Sequence, residues 1–197
     1  MKRFAVLAPD DPYGVAVLEA AREAVVRHGA ELVQSEFYSP DGKDLDTSVK
    51  RLAHYHTRRQ ALLARRKELE KSEEATAKQM LEALQKHDTM GELDYDAVLL
   101  PEGGELLKSL APLLPYYDID TVEIRLLGTG RWDDAKVRLE PALLGGWFAG
   151  ADRTAAGDFR NHYKAAFGHR PPRLASLAYD AMALAAILAQ EARGPDF

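Results

Sequence analysis

The sequence predicts an α/β fold in which helices flank an open parallel sheet, and three stretches carry that prediction. In the first, Asp96-Ala97-Val98-Leu99-Leu100 is an apolar run ended by Pro101. Glu102-Gly103-Gly104 follows, and then a second apolar run, Leu106 to Leu114, with helical spacing. Arg3-Phe4-Ala5-Val6-Leu7-Ala8, followed by Pro9-Asp10-Asp11-Pro12-Tyr13-Gly14, has the same grammar. So has Ile124-Arg125-Leu126-Leu127, followed by Gly128-Thr129-Gly130-Arg131-Trp132. Each is a strand that stops at proline or glycine and turns into a loop. In open parallel sheets ligands sit beyond the carboxyl ends of the strands. If the three strands are neighbours, their loops share one rim.

In chain order, residues 3–8 read as a buried strand. Val15 to His28 reads as an amphipathic helix, with Val17, Leu18, Ala21, Val25 and Val26 in one stripe and Gly29 as a C-cap. Glu31 to Phe37 is the second strand and Ser39-Pro40-Asp41-Gly42 a turn, so the opening is a right-handed strand-helix-strand unit. Between Gly42 and Gly91 there is neither proline nor glycine. Leu52, Tyr55, Leu62, Leu63 and Leu69 mark one apolar stripe there, and Ala77, Leu81 and Leu84 another. Lysine and arginine crowd 58–67 and glutamate crowds 68–74; Ser72 is a possible N-cap. This suits one long helix or a pair of antiparallel helices, more than a crossover needs. The stretch 43–92 is therefore expected to be an inserted helical arm, either solvated or a surface for a partner. Beyond 127, Leu143 to Ala149 reads as a strand weakened by glycine and Thr154 to Phe167 as an amphipathic helix. Leu174 to Gln190 reads as an almost wholly apolar helix that must be covered on most sides.

Composition narrows the function classes. With 197 residues, 46% hydrophobic and 29% charged, the chain can bury a core. A formal charge of −5 argues against a general nucleic-acid binder. There is no cysteine, hence no disulfide and no thiolate nucleophile. No apolar run is long enough to span a membrane. Met1-Lys2-Arg3-Phe4 enters a strand at once without a signal-peptide core, so the chain is expected to be either cytosolic or cut from something longer.

No catalytic constellation stands out. Gly128-Thr129-Gly130 lacks the third glycine of a dinucleotide fingerprint, and no Walker-type lysine follows a glycine loop. The histidines, His28, His54, His56, His87, His162 and His169, show no metal-binding spacing, so neither a metal nor a cofactor is expected. Asp10-Asp11 and Asp133-Asp134 read as turn formers and caps. What remains is the rim: Tyr13, Glu102, Gly103, Thr129, Gly130, Arg131 and Trp132. Aromatic rings and backbone N–H groups freed by glycine can hold a small zwitterion or sugar there. Alternatively, Tyr13 and Trp132 simply pack at the sheet edge.

The run Ala5-Val6-Leu7-Ala8-Pro9-Asp10-Asp11-Pro12-Tyr13-Gly14, then Gly29-Ala30-Glu31-Leu32-Val33, resembles the start of the second lobe of type I periplasmic binding proteins, the Rossmann-like receptors for leucine, isoleucine and valine that serve ABC importers. Tyr95 to Leu100 is similar to that lobe's next strand, Leu127-Gly128-Thr129-Gly130 to its ligand-side loop, and Pro172 to Ala181 to the helix after its final crossover. Gly128 to Asp134, Glu140-Pro141, Gly145-Gly146-Trp147-Phe148 and Phe167-Gly168 are similar to one branch, the penicillin-binding-protein activator lipoproteins. The resemblance implies a non-enzymatic periplasmic domain for an amino-acid-like ligand or, in the activator branch, for a partner protein of peptidoglycan synthesis. It implies that 1–150 is a second lobe with the insertion 43–92, and that 151–197 holds helices made to pack on a first lobe. Helix 174–190 is then expected to repack on this lobe or to pair with another chain, and a homo-oligomer could form through it or through the 43–92 arm. Tyr13 falls where the family places an aromatic over the ligand. Thr129-Gly130 matches a loop that carries an acid for the ligand ammonium, but here Arg131 and Trp132 follow instead.

Overall fold

A computed structural model describes residues 1–72, 74–150, 153–172 and 175–191. The chain divides into two compact units at Gly150/Ala151. In the first, the strands are β1 (Arg3–Pro9), β2 (Glu31–Tyr38), β3 (Ala97–Leu100), β4 (Arg125–Gly128) and β5 (Trp147–Phe148). The helices are α1 (Pro12–Arg27), α2 (Leu45–Leu52), α3 (Tyr55–Leu69), α4 (Ala75–Leu84), α5 (Gly104–Leu110) and α6 (Leu113–Tyr116). The sheet runs in the order β2-β1-β3-β4-β5, and every neighbouring pair is parallel. The three strands that the sequence pointed to are therefore adjacent. Val6 pairs with Leu99, and Leu99 with Leu127.

Strands buried on both faces read as continuous apolar runs rather than alternating ones. β1 shows this: Ala5 and Leu7 join the larger core under α2, α5 and α6, while Val6 and Ala8 join Leu18 of α1 on the other face. The sheet is fastened at its amino end by Asp96. Its carboxylate accepts from the backbone N–H groups of Lys2 (2.7 Å) and Arg3 (3.1 Å) and from the Arg3 guanidinium (2.7 Å).

Several boundaries differ from the sequence expectation, each for a local reason. α1 starts at Pro12, not Val15. Asp11 Oδ1 accepts from the Gly14 N–H (2.7 Å) as N-cap, and proline suits the first helical position because it has no N–H to leave unpaired. The run Leu106 to Leu114 is two helices, α5 and α6, because the Pro112 ring cannot continue an α-helix. The strand expected over 143–149 shrinks to β5. Pro141–Leu143 forms a 3-10 turn capped by Glu140, and Gly145 adopts φ +80°.

The stretch 43–92 divides in three. α2 lies on the sheet through Leu45, Val49 and Leu52. His54, at φ 47°, takes a left-handed conformation that no helix interior accommodates, and α3 begins one residue later. α3 and α4 pack together, with Leu62 and Leu69 buried on α3. Arg66 donates to the carbonyl of Leu84 (2.5 Å) and to that of His87 (2.8 Å), closing the pair. Arg58 donates to the carbonyls of Gly91 (3.0 Å), Ala53 (3.3 Å) and Asp118 (3.1 Å). Arginines of the basic block thus terminate backbone ends, a use that charge counting alone does not reveal.

The second unit contains α7 (Arg153–Phe167) and α8 (Ala175–Glu191). Phe159 of α7 packs against Tyr179 of α8, ring centroids 4.9 Å apart. Leu177, Met182, Leu184, Ile187 and Leu188 on α8 are exposed. No helix among the described residues is long and apolar enough to cross a membrane.

Candidate functional site

The order β2-β1-β3 makes the chain leave β1 in one direction and return on its other side. The crevice between the carboxyl ends of β1 and β3 is thus the topological switch point, where loops diverge and leave room for a ligand. Tyr13 stands on one side, in the first turn of α1, and Glu102-Gly103 stands on the other, at the entry to α5. Thr129 to Trp132, a 3-10 turn after β4, closes the third side.

Glu102 is the centre of the cluster. It is 7% exposed, and three donors meet its carboxylate. Oε2 accepts from the Tyr38 hydroxyl (2.8 Å); Oε1 accepts from the Gly103 N–H (2.9 Å) and from Arg131 Nη1 (3.2 Å). A buried carboxylate needs such partners to stay charged. Tyr38 is 1% exposed. Burial, reinforced by the Glu102 charge and hydrogen bond, pushes its hydroxyl above the usual phenol range, so it remains a donor. Gly103 fits because a Cβ there would crowd Arg131, 3.0 Å from both its Cβ and its carbonyl oxygen.

Arg131 is the ion-pair partner of Glu102, with its side chain 37% exposed. Its guanidinium carbon lies 3.9 Å from the centroid of the Tyr13 ring, a cation–π stack. The Tyr13 hydroxyl is hydrogen-bonded to Thr129 Oγ1 (2.9 Å), and the same Oγ1 accepts from the Arg131 N–H (3.3 Å). The structure therefore brings Tyr13, Glu102, Gly103, Thr129 and Arg131 into one connected cluster, with Gly130 half-buried at the head of the turn.

Trp132 is placed differently. It is 3% exposed, its indole N–H donates to the Leu100 carbonyl (3.1 Å), and its ring lies against the backbones of Gly128 and Gly146. It belongs to the floor beneath the rim and offers no face to a ligand. Tyr38 is the member that sequence reasoning missed. It ends β2 at the same rim, and extending the strand-end argument from three strands to four would have found it.

Among the described residues no cluster of three or more metal-ligating side chains occurs. The cluster contains no nucleophile paired with a base. What it offers is a partly exposed guanidinium beside hydroxyl groups and an aromatic ring. A cavity of about 730 Å³ lies at the opposite, amino end of the sheet, lined by residues such as Arg58, Thr89, Asp118 and Asp120.

No protein-family model matches the sequence, and a search of curated proteins finds no match. Solved structures do match. One, from Rhodospirillum rubrum and assigned to a branched-chain amino acid ABC transporter, aligns over 91% of this chain and 42% of its own at TM-score 0.58 and 17% identity. Another is a solute-binding protein of an ABC transporter from Rhodopseudomonas palustris BisB5, solved in complex with 3,4-dihydroxybenzoic acid. It aligns over 93% of this chain and 42% of its own at TM-score 0.53 and 19% identity. The fold is shared with ABC-transporter solute-binding proteins. The chain spans about two-fifths of the length of these neighbours.

Proposed function

We propose that the chain is one ligand-binding lobe of a non-enzymatic, periplasmic solute-binding protein of the branched-chain amino-acid receptor kind. The observation that carries this reading is the convergence of Tyr13, Glu102, Thr129 and Arg131 at the switch point of a parallel sheet. The shared fold supports it, as does the small aromatic acid held by the Rhodopseudomonas neighbour. In this reading residues 1–150 are the second lobe, and a first lobe closes over the rim by a hinge movement. The exposed apolar side chains of α8 then serve as the seat for that first lobe.

One wall supplies about half of the contacts of a closed cleft, so the chain by itself binds weakly, in the millimolar range. Isothermal titration or ligand-observed NMR with leucine, isoleucine, valine and phenylalanine tests this, on the chain and on Arg131→Ala. Weak binding that disappears in the variant is the expected result. Submicromolar binding by the chain alone, or binding indifferent to Arg131, contradicts the reading.

A further inference from the structure

The cluster around Tyr13 contains one acid, Glu102, and one base, Arg131, and a zwitterionic ligand would seem to need both. The hydrogen bonds decide otherwise. A carboxylate has about four acceptor positions. Three of those on Glu102 are filled from inside the protein, by Tyr38, Gly103 and Arg131, and the side chain is only 10% exposed. One position is left, on a side chain so deeply buried that an incoming ammonium would shed most of its hydration for a single shared contact. Glu102 is therefore an internal anchor that fixes the position of Arg131.

Arg131 is the opposite case. Its Nη1 is used by Glu102, but among the described residues Nε and Nη2 have no hydrogen-bond partner within the protein, and the side chain is more than one-third exposed. Tyr13 packs against one face of the guanidinium and Glu102 holds one nitrogen, so the planar group is oriented before any ligand arrives. A guanidinium held in place with donors to spare matches the two oxygens of a carboxylate. The Glu102–Arg131 pair has no net charge, which suits a monoanion better than a doubly charged phosphate.

We infer that Arg131, fixed by Glu102 and Tyr13, docks the carboxylate of a small monocarboxylate ligand, and that Glu102 does not read the ligand's amine. Amino acids and their amine-free counterparts are then equivalent to this cluster. The inference rests on the rim being the ligand seat and names the end of the ligand held there.

Four probes that share the branched side chain of leucine test it on the full chain by ligand-observed NMR titration. L-leucine carries both groups, 4-methylpentanoate lacks the amine, 3-methylbutylamine lacks the carboxylate, and leucinamide masks it. Leucine and 4-methylpentanoate are expected to bind within about threefold of each other, and the other two about tenfold more weakly or not at all, the range expected for losing one charge-assisted contact. Arg131→Lys, which keeps the charge but not the fork, is expected to weaken both acids about tenfold. Glu102→Gln is expected to change leucine and 4-methylpentanoate in parallel.

A selective loss of leucine in Glu102→Gln would make Glu102 an ammonium site and overturn the inference. Binding of 3-methylbutylamine as tight as that of the acids, or binding of leucine without 4-methylpentanoate, would also overturn it while leaving the rim as the seat. Failure of all four probes would overturn the seat itself and the inference with it. The thermal midpoint of each variant, taken beside the wild type, separates loss of binding from loss of fold.

Discussion

The guanidinium of Arg131 sits over the ring of Tyr13, 3.9 Å from its centroid, although Tyr13 lies in the first turn of α1 and Arg131 in the turn after β4. Tyr13 is held through its hydroxyl by Thr129, two residues before Arg131, so ring and cation are fixed by one turn. The aromatic residue expected to cover a ligand directly has one face occupied by a protein cation.

Replacing Tyr13 separates the two contributions. Tyr13→Phe keeps the ring and loses the Thr129 hydrogen bond; the expected cost is about 0.5–1 kcal/mol of stability with ligand preference retained. Tyr13→Ala also removes the surface under Arg131 and is expected to weaken binding of carboxylates several-fold more than Tyr13→Phe does. Chemical denaturation and NMR titration of the two variants provide the comparison.

Tyr38 and Glu102 are coupled inside the protein. Tyr38→Phe leaves Glu102 Oε2 short of its donor in a buried setting, an expected loss of about 1–3 kcal/mol. In a double-mutant cycle with Glu102→Gln the two effects are expected not to add. The pH dependence has a definite sign. The folded-state pKa of Tyr38 is raised above its unfolded value, chiefly by burial, so the unfolded chain releases this proton first. Stability from this group is complete below the unfolded phenol pKa of about 10 and falls above it. Tyr38→Phe is expected to flatten that alkaline decline in denaturation series run across the range.

Asp96 predicts behaviour at the acid end. The Lys2 and Arg3 N–H groups and the Arg3 guanidinium hold its carboxyl well below the usual carboxylate range. Its contribution is therefore present above the unfolded pKa of about 3.9 and is lost as pH falls toward the depressed folded value. Because the pair is partly exposed, Asp96→Asn is expected to cost about 1 kcal/mol at neutral pH and to narrow the gap from wild type under acid. Urea midpoints against pH check both.

Gly128 predicts a packing effect with an optical readout. A Cβ at this position would stand inside the Trp132 indole. Gly128→Ala is expected to lose about 1–3 kcal/mol and to tilt the ring off its hydrogen bond to Leu100. Trp147 is 57% exposed and already emits from water, so a further red shift of fluorescence reports Trp132. An unchanged spectrum with unchanged stability would show that the ring has room to move.

The strands and their shared rim were legible because buried parallel strands write themselves as apolar runs that stop at Pro101, Gly128 or Pro9. Arg131 and Glu102 were visible as polar residues just past those stops. Their pairing was not, because nothing in the sequence relates positions 29 residues apart in different loops. Trp132 was legible as an aromatic in a loop but not as a floor residue. Only the structure shows that Gly128 and Gly146 leave a slot of indole width. The division of 43–92 was hidden for a similar reason. A single left-handed residue, His54, breaks the helix where neither proline nor glycine marks the break.

Glu102 gathers donors from the ends of β2, β3 and β4, so its coordination closes only after the most distant pairings of the sheet exist. A partly assembled chain has no anchored Arg131 to offer. Anchoring of Arg131 therefore reports that β2, β1, β3 and β4 have paired. In the proposed role, a ligand captured there would slow fraying of three separate strand ends at once, including those it never touches.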